Sequence, residues 1–466
     1  MGNRAHRWGG EHSRDEGRSM ALMRRILFLA GHELASPGFS ATYRQLVENQ
    51  WKPRAVLQEE QDRALAAMIR FAVAEVPYYR RLFRSLGLAP GDVRTSGDLS
   101  RLPVLTKEII RAAPEEFIPA SLGRQRYQEQ VSSGSTGTPF RFRMSGHDYT
   151  LALALMYRGW GYAGYQPGDP TVILAGAALN IGPRQTLKKT LHEIARNTRL
   201  LSSFEMSGEM MEGYAKVINR KQPRFLRGYA SSLYFFATWI RENGIRLQSP
   251  EGIFTTAEKL YPAMRKRIEE VFQCPVYDTY GLYDGGVGAY ECPEHRGLHI
   301  DTERAVLEVV DGAGLPLASG EGRILCTTLQ NHAMPLIRYD SGDLGSISGD
   351  LCPCRRESLL LSEVIGRSVD MLVTPDGTRV HGAFVGMYLE NCTGIREYQV
   401  VQETLRTLRV KIVADPAFDP AVLQGFRDLV ASKSREWEVE FQLVDAIERT
   451  AAGKYRFIES RLPPGQ

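Results

Sequence analysis

Apolar positions between residues 50 and 90 recur at helical spacing. Leu57, Ala64, Leu65, Met68, Ile69, Phe71 and Ala72 share one face, and charged residues fill the other. Val76-Pro77-Tyr78-Tyr79-Arg80-Arg81 restarts a helix, with proline at its first turn. From residue 140 the period changes. Phe140-Arg141-Phe142-Arg143-Met144 alternates as a half-buried strand does. Buried-type strands are then predicted at 171–175, 224–229, 252–256 and 275–280, with helices through Leu233 and Ile240 and through Met264 and Val271. Strands separated by helices predict a largely parallel sheet, whose ligands sit beyond the strand carboxyl ends. The pattern turns to β from about 305 to 345, and a small α+β unit follows from about 367. The expected class is α/β: an extension over 1–49, a large domain over 50–366 with mainly parallel sheets and a β-rich subdomain, and a small C-terminal α+β domain over 367–466.

Composition narrows the function classes. A chain of 466 residues with 43% hydrophobic content is long enough for two cores. A net charge of +4 is too small at this length to indicate nucleic-acid binding. The first 25 residues hold Arg4, Arg7, Arg14, Arg18, Arg24 and Arg25 and read as a frayed terminus. The apolar run Arg25–Gly31 is too short to span a bilayer and lacks the features of a signal peptide. A cytoplasmic protein without nucleic-acid or membrane partners is therefore expected. Six cysteines do not make a disulfide scaffold in such a chain.

Chemistry centres on Ser132-Ser133-Gly134-Ser135-Thr136-Gly137-Thr138-Pro139. This run packs no core. Its glycines let backbone approach a ligand, and its hydroxyls and N–H groups suit a phosphate chain. No Gly-Lys-Ser/Thr follows, so it is not a Walker A loop. On its own it reads either as a nucleotide-phosphate loop or as a linker.

The run resembles the phosphate-binding signature of the adenylate-forming acyl-CoA synthetase superfamily, within it the phenylacetate-CoA ligase-like branch. The likeness extends from about Gln50 to the C-terminus. It implies that residues 132–138 hold ATP phosphates. Met334-Pro335-Leu336-Ile337-Arg338-Tyr339-Asp340-Ser341-Gly342-Asp343 resembles the ribose motif, which gives Asp343 the ribose hydroxyls. Gly366-Arg367-Ser368-Val369-Asp370 resembles the hinge about which the small domain turns, with Arg367 on the nucleotide and Asp370 at the pivot. Arg449-Thr450-Ala451-Ala452-Gly453-Lys454 resembles the catalytic-lysine motif, so Lys454 meets charge on the carboxylate and α-phosphate. Tyr280-Gly281-Leu282-Tyr283-Asp284 occupies the place of the aromatic-Gly-x-x-Glu string. It puts Tyr280 and Gly281 beside the adenine and Asp284, one methylene shorter, on Mg²⁺. Glu258 is a second carboxylate for the same site. Tyr283 departs from the family's usual Thr or Arg.

A second site is expected from Cys292-Pro293-Glu294-His295-Arg296-Gly297-Leu298-His299 and Cys352-Pro353-Cys354. Two thiol clusters with an imidazole can make one closed, structural Cys₃His zinc site. Cys292, Cys352 and Cys354 supply the thiols. The fourth ligand is His295 or His299, with His299 preferred because the Gly-Leu-His string is shared with the family. Cys274, Cys326 and Cys392 read as core. The resemblance implies an AMP-forming ligase that uses ATP and Mg²⁺ to activate a carboxylic acid and passes the acyl group to coenzyme A. An amine or carrier-protein acceptor, a homodimer, and a non-catalytic nucleotide-binding protein on the same fold stay open.

Overall fold

The computed structural model describes residues 9–132, 140–175, 190, 193–203, 206–367, 371–377, 379–381, 385, 388–389, 392–449 and 455–462. A hairpin of β1 (Tyr127–Ser132) and β2 (Phe140–Ser145) leads into the helix Gly146–Gly161. The strands β3 (Thr171–Ala175), β4 (Thr198–Ser202), β5 (Phe225–Tyr229), β6 (Gly252–Thr256) and β7 (Val276–Tyr277) form a five-stranded parallel sheet in the order β4-β3-β5-β6-β7. Its strands alternate between two apolar faces, so both sides must be covered. On one, Val172, Leu226, Ile253 and Val276 pack under the helices Gly208–Lys221, Ala230–Glu242 and Pro262–Phe272. On the other, Phe225, Phe254 and Tyr277 meet Tyr157 and Trp160 of the helix Gly146–Gly161.

At Asp278 the chain leaves this sheet for a seven-stranded antiparallel one. Its strands are β8 (Thr279–Leu282), β9 (Val287–Glu291), β10 (Leu298–Ile300), β11 (Ala305–Val310), β12 (Gly320–Thr328), β13 (Tyr339–Ser348) and β14 (Leu360–Arg367), in the order β11-β12-β13-β14-β10-β9-β8. The two sheets are joined through the helix Gly146–Gly161. Its Gly159 carries no side chain because the Tyr290 ring lies there: an added Cβ would fall 2.1 Å from Tyr290 Cγ. Buried ion pairs fix the same helix. Arg158 bonds Asp301 and, at 2.6 Å, Glu303, and Arg304 holds Asp148 through two bonds of 2.8 and 2.9 Å. Each cation is matched by carboxylate, as burial of charge requires.

The C-terminal part has a hairpin of β15 (Met371–Val373) and β16 (Arg379–His381). Its sheet holds β17 (Ile395–Gln402), β18 (Thr407–Ala414), β19 (Glu438–Leu443) and β20 (Ile458–Ser460), in the order β19-β18-β17-β20. The helix Val422–Ala431 covers it through Phe426 and Val430. Tyr455 and Phe457 carry its core onto the large part, with ring centroids 5.2 Å from Phe235 and 5.9 Å from Tyr261.

The N-terminus differs from the frayed segment expected. A helix runs from Gly9 to Ala35, and Phe28 and His32 are buried against Phe39 and Tyr157. The apolar run 25–31 that is too short for a membrane thus helps anchor this helix. No described helix is long and apolar enough to cross a membrane.

Candidate active site and metal centre

Three strands bring the nucleotide-motif residues together. Tyr280 lies on β8, Asp343 on β13, and Arg367 ends β14. Asp343 and Arg367 are direct cross-strand partners, 24 residues apart in sequence. The Tyr280 hydroxyl donates to Asp343 Oδ2 at 2.8 Å, and the Asp343 N–H donates to Ser341 Oγ at 3.0 Å. Gly342 adopts φ +79°, the left-handed region in which glycine is favoured, so the turn can deliver Asp343 to the strand. An added Cβ at Gly281 would meet nothing within 4 Å, so the β8 backbone there faces open space.

Glu258 follows the carboxyl end of β6. Its Oε2 accepts the Ser231 N–H and its Oε1 the Tyr455 N–H, both at 2.9 Å. One carboxylate therefore ties the parallel sheet to the residue that follows Lys454. Lys454 itself, Ser133, Gly134, Ser135, Thr136, Gly137, Thr138 and Asp370 lie outside the described residues, as do the side chains of Ser132 and Arg367.

Asp284 is shut in. It is 2% exposed, with Oδ2 accepting the Tyr339 hydroxyl at 2.7 Å and Oδ1 the Gly285 N–H at 3.1 Å. Tyr339 is itself fully buried beside Phe140. Glu258 is half-buried and stands more openly than Asp284. His332 packs its ring on Phe71. Among the other cysteines, Cys326 is buried as expected, whereas Cys274 and Cys392 are only half-buried.

Sequence reasoning missed a network beneath β8. Asp278 sits where the chain changes sheets. Its Oδ1 accepts the Thr255 hydroxyl at 2.6 Å and the Thr279 N–H at 2.9 Å. Its own N–H donates to Glu291, which Arg265 holds through two bonds. The only local signal was a carboxylate between two strands. Burial, with the Glu291 charge adding to it, lifts the Asp278 carboxyl from 3.8 to about 6, against the Thr255 hydroxyl and Arg265. Between roughly pH 4 and 6 the folded chain then holds a proton that the unfolded chain has lost. This contribution to stability is full below pH 4 and is lost as pH rises through 6. Asp278→Asn is expected to remove about 3 kcal/mol of pH-dependent stability over that window. Thermal midpoints measured from pH 4 to 7 check it; equal slopes for both proteins would refute it.

The candidate metal centre is closed. The ligand atoms of Cys292, His299, Cys352 and Cys354 all lie within 4.8 Å of one another. Cys292 Sγ is 3.6 Å from Cys352 Sγ, and Cys354 Sγ is 3.3 Å from His299 Nε2. Tetrahedral zinc–thiolate bonds of ~2.3 Å place sulfurs about 3.8 Å apart, so this donor set fits zinc. Two similar turns present the thiols. His295 N–H donates to Cys292 O and Arg355 N–H to Cys352 O, and both donor residues take positive φ, 48° and 70°. His299 Nδ1 lies 3.1 Å from Ser358 Oγ, which leaves Nε2 for the thiol side. Burial, then Arg356 and Arg158, lower His299 to about 4, keeping a neutral ring. Burial pushes the Cys292 thiol up; at Cys354 the Arg356 N–H and side chain outweigh burial and lower it. His295 is directed elsewhere: Nδ1 lies 3.1 Å from Glu291 and the ring stacks on Tyr277.

Residues 372–461 match the family model of the CapK C-terminal domain. The chain is 31% identical over 328 residues to phenylacetate-coenzyme A ligase of Escherichia coli strain K12, covering 68% of this chain and 72% of that one. It is 29% identical over 378 residues to phenylacetate-coenzyme A ligase of Thermus thermophilus, covering 78% and 83%. Among solved structures, 2-hydroxyisobutyryl-CoA ligase in the postadenylation state aligns with a TM-score of 0.69 at 20% identity, covering 89% of this chain and 91% of that one. That likeness establishes the α/β architecture with a small C-terminal unit.

Proposed function

Because the chain belongs to the phenylacetate-CoA ligase family of adenylate-forming enzymes, we propose that it is an AMP-forming acid–thiol ligase. A carboxylate oxygen attacks the α-phosphorus of ATP and pyrophosphate leaves. The thiol sulfur of coenzyme A then attacks the acyl carbon, its proton passes to solvent, and AMP leaves. The observation that carries this reading is the meeting of Tyr280 and Asp343, with Arg367 opposite Asp343, in the antiparallel sheet.

Asp343 accepts from the ribose hydroxyls, with Tyr280 and Gly281 bordering the adenine and Arg367 at the nucleotide. Residues 132–138 hold the phosphates. Mg²⁺, held by Glu258 or Asp284 together with phosphate oxygens, supplies charge neutralisation, and the half-open position of Glu258 favours it as the ligand. Lys454 adds a point charge at the reacting centre. We assign zinc to Cys292, His299, Cys352 and Cys354 as a structural ion, and the small domain to 367–466. Since ATP and coenzyme A are cytoplasmic co-substrates, the reaction is placed in the cytoplasm.

Adenylation is reversible, so the test is acid-dependent exchange of labelled pyrophosphate into ATP across a panel of carboxylic acids. Exchange with one or a few acids, followed by thioester formation when coenzyme A is added, is expected. The enclosed Asp284 favours a second reading, a nucleotide-binding protein without catalysis. ATP binding with no exchange from any acid would establish that reading instead.

A further inference from the structure

Arg227 stands on β5, the middle strand of the parallel sheet, two residues before the strand's carboxyl end. Its register partners are Ile173 on β3 and Phe254 on β6. Its guanidinium carbon lies 5.1 Å from the Trp160 ring centroid, and Trp160 stacks on Phe254 at 5.2 Å. The side chain is half-buried and lies on the same face as Tyr229, which ends the strand.

Arg227 has no counter-charge among the described residues, unlike most of the buried arginines. Arg158 holds Asp301 and Glu303, Arg304 holds Asp148, Arg338 holds Glu308, and Arg265 holds Glu291. The Arg227 side chain makes no hydrogen bond or ion pair with a described residue, and its guanidinium packs on the Trp160 ring. Of the carboxylates on this side, Asp148 is taken at both oxygens by Arg304 and Asp301 at Oδ1 by Arg158, and none is described as bonded to Arg227. Two phenols on this side, Tyr157 and Tyr290, are almost fully buried. Burial raises both phenols; Arg196 and then Arg227 pull Tyr157 back, and Arg227 and Arg304 pull Tyr290 back, so the guanidinium is within electrostatic reach of both.

A partly dehydrated guanidinium without an acid is costly unless a ligand supplies one. Its planar fork matches a carboxylate, sulfonate or phosphate. Resting on the ligase reading above, we propose that the acid activated here carries a second anionic group at its far end, and that Arg227, helped by the Tyr157 and Tyr290 hydroxyls, is the specificity-determining residue that receives it. The reacting carboxylate faces the nucleotide edge, and the second anion points down to β5.

The test compares matched acids in the pyrophosphate-exchange assay: adipate against hexanoate, and 4-carboxyphenylacetate against phenylacetate. The dianionic member of at least one pair should be favoured in kcat/KM. Arg227→Met should lower that value by about 100-fold, chiefly through KM for the acid, and leave the neutral member within about twofold. Arg227→Lys should recover part of the loss and guards against misfolding of the first variant, with thermal midpoints measured for both. Neutral acids turned over as well as their dianionic partners, or an equal loss for both classes in folded Arg227→Met, overturns this inference and leaves the ligase reading standing. No exchange from any acid overturns both.

Discussion

Lys454→Ala is expected to slow acyl-adenylate formation by about 10²–10³-fold while leaving the thermal midpoint within a few degrees. In the first half-reaction a carboxylate approaches a phosphate, so two negative groups must be brought together. A positioned ammonium lowers that barrier, and an electrostatic donor of this kind has the stated effect in a water-poor site. The structure describes the residue that follows the lysine, Tyr455. Tyr455 donates its N–H to Glu258 at 2.9 Å and packs its ring on Phe235 and Phe457. Its hydroxyl bonds Tyr398 O within the C-terminal sheet. The residue after Lys454 is therefore anchored to both parts of the molecule. The second half-reaction has no such meeting of charges, so thioester formation from supplied acyl-adenylate should proceed nearly as in the parent enzyme. Stopped assays of each half-reaction check this. Equal losses in both steps would remove Lys454 from the role assigned to it.

Loss of the zinc proposed for Cys292, His299, Cys352 and Cys354 should act on the fold. Cys292→Ser, or prolonged chelation, is expected to reduce bound zinc from roughly one equivalent and to lower the thermal midpoint by roughly 5–10 °C. The centre fastens the turn after β9 to the turn before β14, 60 residues apart. Without the ion, three thiols and an imidazole would not replace its bonds; they would revert to weakly interacting neutral groups. Arg356 lies beside this centre, stacked 4.1 Å from the Tyr162 ring centroid and bonded to Gln50. Loosening should thus spread to the N-terminal helices. Exchange activity per folded molecule should persist at temperatures below the new midpoint. Metal analysis, calorimetry and exchange on one preparation decide it. A chelated protein with an unchanged midpoint and no chemistry would mean that the ion serves catalysis.

Local patterns carried much of the architecture. Strands at 171–175, 252–256 and 305–310 were legible because a strand buried on both faces needs an unbroken apolar run, and the helices between them because a one-sided face repeats every three to four residues. The thiol clusters were legible because Cys352 and Cys354 stand two residues apart and Cys292 lies within a few residues of a histidine. The N-terminal helix was not, since its Arg-rich start resembles a solvated tail until Phe28 and His32 find Tyr157. Nor could spacing choose between His295 and His299; that rests on Glu291 and Tyr277 engaging one ring while Ser358 orients the other. The pairing of Asp343 with Arg367, the enclosure of Asp284 by Tyr339, and the solitary charge of Arg227 likewise belong to the folded molecule. Periodicity reports which face of an element seeks apolar company. Whether a charge is matched depends on side chains that only the packing of distant strands brings within a few ångströms, and there the chemistry of this chain is decided.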